Sequence, residues 1–245
     1  MEDFIFKFSR KGVTNVMLNE RSEYNEEEID DIYAGIAAQV APIPVSAADL
    51  LIDKKSRFQF GIFELDQALE LCEGLIEIQG RAKQGKTMLC RRAVSNALLK
   101  QNKVLYVNIS KCNCDAFAES LNYHENLVTL PCFDIKSLIC ICFGLSRANP
   151  YGLVVIDGIS PLLFSIEDWG QANELCKELE GLLKRLSIYT GIIVTSSVND
   201  EGNLIAAGYW NNSIPESLYI EEVDTNEYEC KHIHEKLITI KFKIS

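Results

Sequence analysis

The chain has 245 residues, 47% apolar and 24% charged, the composition of an ordinary globular protein built as one large domain with at most a small appendage. Its 35 acidic against 24 basic side chains give a net charge of -11, which excludes holding a polyanion by bulk charge alone. No apolar run approaches the length of a membrane span, and nine cysteines behind a mixed, acidic start point to free thiols in a reducing compartment.

In chain order, residues 1–44 form an N-terminal extension with one helix, 45–59 a linker, and 60–245 the core. Asn25 is placed to cap the extension's helix, with Glu26, Glu27 and Glu28 in the first turn and Ile29, Ile32, Tyr33, Ile36, Ala37 and Val40 on one face. Pro42 and Pro44 end it. After Phe60 strands and helices alternate. Leu75 to Gln79 reads as a strand, and Thr87 to Lys100 as a helix with Leu89, Ala93, Ala97 and Leu98 inward. Val104 to Val107 is a strand, Ala116 to Leu121 a short helix, and Leu127 to Leu130 a strand. Asp134 caps a helix running to about Arg147. Leu153 to Ile156, apolar on both faces, reads as a central parallel strand. A long helix carries Leu175, Leu179, Leu182, Leu183 and Leu186 at core spacing, with Glu180 four before Lys184. Gly191 to Thr195 is the next buried strand. Glu216–Glu222 and Leu237–Ile244 alternate like an antiparallel pair at the sheet edge. The pattern predicts an α/β fold: a mostly parallel central sheet flanked by helices, with an antiparallel C-terminal edge.

Residues 51–103 form the one basic stretch, with 10 basic and 6 acidic side chains, so an anion site is sought there first. Within it, Gly80-Arg81-Ala82-Lys83-Gln84-Gly85-Lys86-Thr87, followed by Met88, fits G-x-x-x-x-G-K-[ST] between a strand and a helix. Glycines at these places let successive backbone N–H groups curl around an anion, and the following helix adds its positive end. The motif predicts an ATP site in which Lys86 reaches the β- and γ-phosphates and Thr87 offers its hydroxyl to Mg²⁺. The bland alternative is an ordinary glycine turn. Asp157, closing the strand from Leu153, is the expected second half of the site, holding Mg²⁺ through water opposite Thr87; the bland alternative is a loop-capping Asp.

Around the loop the chain resembles the RecA recombinase family, in its eukaryotic branch of RAD fifty-one and its paralogues. Phe60-Gly61-Ile-Phe-Glu-Leu65-Asp66-Gln-Ala-Leu69, then Glu73-Gly74-Leu-Ile-Glu-Ile, resembles that family's approach to the P-loop. Thr87-Met-Leu-Cys90, Val45-Ser-Ala-Ala-Asp-Leu-Leu51 and Ala206-Ala-Gly208-Tyr-Trp210 add weaker matches, so the likeness spans about residues 45–222. It implies a RecA-like P-loop ATPase core. Active members carry a water-activating glutamate after the second strand; here Ser110 stands in that place, after Asn108, and a serine is a poor base. Thr195-Ser196-Ser197 replaces the family's Thr-Asn-Gln. Glu119 or Asp115 could stand in for the missing base. The resemblance thus implies retained ATP binding with weak or no hydrolysis, and no catalytic residue is assigned.

The family's two DNA-gripping loops should follow Asp157 (Gly158 to Trp169) and Ser197 (Val198 to Ile205). Neither contains Lys or Arg and each contains two acids, which argues against tight binding to single-stranded DNA by this chain alone. The resemblance implies a mediator in homologous recombination repair, located in the nucleus. It would act with a second RecA-like subunit on the recombinase filament, reach single-stranded DNA through the complex, and involve no membrane. Val45 and Ala48, in a degenerate form of the family's docking peptide, are candidate partner contacts; a simple tether is the alternative. The competing readings are a catalytically competent DNA-dependent ATPase and a scaffold that binds no nucleotide.

Smaller constellations carry less. Cys112 with Cys114 and Cys140 with Cys142 could pair on zinc, and Cys230, His232 and His234 could supply ligands on one strand face, but none has the zinc-knuckle spacing, and Cys140 and Cys142 in an apolar helical run read first as buried thiols. His124 reads as a surface residue. Arg91 and Arg92, with Lys54, Lys55 and Arg57, read as solvated surface or an interface with an acidic partner or DNA.

Overall fold

The computed structural model describes residues 58–69, 74–109, 124–147, 149–166, 168–199, 214, 216–224, 227–233 and 238–243. The expected helix of the extension, Val45 and Ala48, the short helix 116–121, Ser110 and residues 200–213 lie outside them.

The elements are α1 (Phe63–Ala68), β1 (Leu75–Gly80), α2 (Lys86–Leu99), β2 (Val104–Asn108), β3 (Leu127–Pro131), α3 (Ile135–Arg147) and β4 (Leu153–Asp157), followed by α4 (Ser160–Phe164), α5 (Trp169–Ser187), β5 (Gly191–Ser197), β6 (Ser217–Asp224), β7 (Glu227–Ile233) and β8 (Ile238–Lys243). The described strands form one sheet in the order β3-β2-β4-β5-β1-β6-β7-β8. From β3 to β6 every pairing is parallel, and β6-β7-β8 is antiparallel. The mostly parallel sheet with an antiparallel C-terminal edge is therefore present.

Strand parity sends the apolar side chains to two cores. Ile76, Ile78, Val104, Val155, Ile193, Leu218 and Ile220 face α1 and α2, while Leu105, Val107, Val154, Ile156, Ile192 and Val194 face α3, α4 and α5. Every residue of β4 is buried, as a strand covered by helices on both faces requires. The Leu65-Asp66 segment has a local task. Leu65 is fully buried, and the Asp66 carboxylate accepts from the N–H groups of Phe60 (2.6 Å) and Gly61 (2.9 Å), closing the turn that leads into α1. Asp134 caps the first turn of α3, accepting from Ser137 N at 2.8 Å.

Two expectations need correction. The tail segments do not pair with each other: β7 lies between β6 and β8 and pairs with both, while β6 joins the parallel sheet through β1. Nor is 158–169 simply an open loop. Pro161 falls in the first turn of α4, and Ile159, Leu162 and Leu163 are buried in the core under α3 and α5. Asp168, one of the segment's two acids, caps α5 by accepting from Gln171 N at 2.7 Å.

Candidate phosphate-binding site

The glycines of the motif have different tasks. Gly85 sits at φ +85°, in the left-handed region, and leads directly into α2. Gly80 ends β1, and a Cβ there would stand 2.7 Å from the Ile220 carbonyl oxygen on the neighbouring strand. A Cβ on Gly85 would stand 2.5 Å from Cε1 of Tyr228. The β6–β7 pair thus forms the back wall of the loop. Glu222 N donates to Gln84 Oε1 at 2.5 Å, and the Tyr228 hydroxyl donates to Met88 Sδ at 3.7 Å.

Lys86 folds over the loop and donates from Nζ to the carbonyl oxygens of Gly80 and Arg81, both at 2.7 Å. Burial pulls its pKa below the ordinary lysine value, opposed by the nearby Asp157 carboxylate. A partly desolvated ammonium at the start of a 14-residue helix is suited to an anionic oxygen.

Parity brings the rest together. Tyr106 of β2, Asp157 of β4 and Thr195 of β5 belong to adjacent strands and share the α2 face. Asp157 is 2% exposed, and its carboxylate collects three hydroxyl hydrogen bonds. Thr87 Oγ1 and Tyr106 Oη donate to Oδ2 at 2.9 and 2.5 Å, and Thr195 Oγ1 donates to Oδ1 at 2.7 Å. Gly158 N in turn donates to Thr195 Oγ1 at 2.7 Å. The structure therefore joins Thr87 to Asp157 directly and seats both at the phosphate loop. Tyr106 was not singled out in the sequence, and Thr195 only as the start of the segment that replaces Thr-Asn-Gln; neither was assigned to Asp157. Tyrosine and threonine in buried strands read as packing, and only their register against Asp157 gives them a polar task.

Arg91, on α2, is close enough to Tyr106 for its charge to act on the phenol, and the remaining candidates lie apart from this cluster or outside the described residues. Ser196 points to the opposite face of β5, and its hydroxyl, 2% exposed by residue, has no hydrogen-bond partner among the described residues. Arg92 donates to Gly61 O at 3.4 Å, tying α2 to the segment before α1. Cys142 and Cys230 are buried thiols pushed up to about 12 by burial, and among the described residues no group of His, Cys, Asp and Glu is placed to hold a metal ion. No described helix is long and apolar enough to cross a membrane.

No family model matches the chain, and no curated protein sequence matches it. Among solved structures, it is similar to the crystal structure of a KaiC-like protein from the hyperthermophilic archaeon Pyrococcus horikoshii OT3. The TM-score is 0.56 at 14% identity, and the match covers 71% of this chain and 86% of that one. At that identity the likeness speaks for the fold alone. With its sheet order and its loop between β1 and α2, the chain carries a RecA-like fold.

Proposed function

We propose that the chain binds magnesium-ATP at residues 80–88 and acts as a recombinase paralogue. The observation that carries the nucleotide reading is the direct Thr87–Asp157 hydrogen bond at the mouth of a loop whose lysine and helix N-terminus both favour anions. A hydroxyl and a carboxylate are hard oxygen donors, which suits Mg²⁺. Bound there, the cation would supply charge neutralisation of the terminal phosphates, with Thr87 holding it and Asp157 orienting its water.

In this reading the chain hydrolyses ATP weakly or not at all. Asp157 is buried and already accepts from three hydroxyl donors, β2 ends in Asn108 where the family's water-activating glutamate would follow, and β5 ends in Thr195-Ser196-Ser197. Single-stranded DNA is reached through a complex rather than gripped directly, because residues 158–169 contain no Lys or Arg and are half folded into α4. The protein would then work in the nucleus with a second RecA-like subunit, stabilising or remodelling recombinase filaments during homologous recombination repair.

Titration of the purified chain with a fluorescent ATP analogue tests the first step. Saturable binding that Lys86→Ala weakens by tenfold or more supports the reading, and no binding at millimolar nucleotide refutes it. Turnover with single-stranded DNA at the rate of an active recombinase would refute the loss of hydrolysis. Co-purification with a second RecA-like chain tests the mediator role.

A further inference from the structure

A cation site built on one carboxylate depends on what else that carboxylate touches. Asp157 lies almost wholly out of solvent, so its rotamer is set by protein donors. Both donors on Oδ2 are identified: Thr87, at the start of α2, and Tyr106, from the middle of β2. Oδ1 takes Thr195, whose own oxygen is fixed by Gly158 N. The Tyr106 and Thr195 bonds, at 2.5 and 2.7 Å, are of the strong, charge-assisted kind. They aim one oxygen at Thr87 and leave the second acceptor position of Oδ1 without a protein hydroxyl among the described donors.

We propose that Tyr106 is a positioning residue of the cation site: its hydroxyl, working with that of Thr195, locks the Asp157 carboxylate in the orientation that pairs it with Thr87, so the magnesium-binding half of the site is assembled before nucleotide arrives. Tyr106 acts through Asp157 and touches neither cation nor phosphate. Phenylalanine would keep the apolar packing of the ring, which is 3% exposed, and delete the hydroxyl that donates to Asp157. The consequence is confined to the part of nucleotide affinity that depends on the divalent ion. The inference rests on the nucleotide reading above and refines it.

The test measures affinity of the full chain for a fluorescent ATP analogue, once in excess EDTA and once in excess Mg²⁺; the ratio is the magnesium enhancement. Tyr106→Phe is expected to lower that ratio about tenfold, the usual size for a partner of a metal-orienting group, with the EDTA affinity changed less than twofold. Thr195→Val should lower the ratio similarly, and Thr195→Ser should restore it. If Tyr106→Phe does not fold, the Thr195→Val and Thr195→Ser pair decides. A ratio kept by both deletions overturns the inference. Equal weakening with and without Mg²⁺ also overturns it, since that marks packing alone. A wild type that binds nucleotide without magnesium enhancement sinks the inference and leaves the loop reading standing, whereas no binding in either buffer refutes the loop reading itself.

Discussion

Substituting Gly85→Ala probes whether the β6–β7 wall presses on the loop. Two terms add. An L side chain at φ +85° costs about 1–2 kcal/mol, because the left-handed region crowds Cβ against the backbone. The new methyl would also stand 2.5 Å from Tyr228 Cε1 and 3.2 Å from Cδ1 and Cζ. That ring is 2% exposed and stacked on Phe242 with centroids 6.0 Å apart, so it cannot swing clear without repacking. Overpacking of this kind adds about 1–3 kcal/mol, giving roughly 3 kcal/mol in all. For a domain of this size that is a fall of about 9 °C in Tm. Urea denaturation of Gly85→Ala, Tyr228→Ala and the double variant separates the terms. Removing the ring leaves the backbone strain and abolishes the clash, so the double variant should be about 2 kcal/mol more stable than the sum of the singles implies. Additivity within about 0.5 kcal/mol would refute contact between the wall and the loop.

Three further outcomes follow from the site and the core. Asp157→Asn replaces four acceptor lone pairs with an amide whose NH₂ must face a hydroxyl donor, and should lower unfolding stability by about 2 kcal/mol; an unchanged denaturation midpoint would contradict the three-donor geometry. Ser196→Ala removes a buried hydroxyl that has no partner among the described residues, so stability should hold or rise by about 1 kcal/mol, and a loss of that size would mean the hydroxyl is bonded after all. The thiols of Cys142 and Cys230 rise from an ordinary 9.0 to about 12 on folding, so alkali ionises them first in the unfolded chain. Their stabilisation is complete below pH 9 and is lost as pH climbs toward 12; at pH 10 each should have lost about 1 kcal/mol. Cys142→Ala and Cys230→Ala should flatten the fall in urea midpoint between pH 8 and 10, and a wild-type midpoint independent of pH there would contradict the burial.

The local parts of this architecture are readable in one dimension. The phosphate loop is a contiguous motif, and Asp157 announces itself by ending a strand apolar on both faces. Helix α3 shows its Asp134 cap, and α5 its leucine spacing. What the linear pattern hides is register. Tyr106 and Thr195 gain their roles only because β2, β4 and β5 are neighbours whose ends align. Strand β7 was glimpsed only in the Cys230-x-His232-x-His234 alternation, and its place between β6 and β8 was missed for a related reason. Tyr228 and Cys230 alternate with Glu227, Glu229 and Lys231, and such a mixed run declares itself a strand only once β6 and β8 flank it. In α4 the signal was present as Pro161 at a helix start, yet five residues are too few for periodicity to show.

The wall behind the phosphate loop comes from far along the chain: Glu222 lies 138 positions after Gln84, and Tyr228 lies beyond it. A nascent polypeptide emerging from the ribosome would therefore display the glycine motif long before the hairpin that shapes it has been synthesised. The back wall of the loop is complete only once β6 and β7 have been made, and a stop codon shortly before Ser217 would yield a chain bearing the intact signature without its supporting wall.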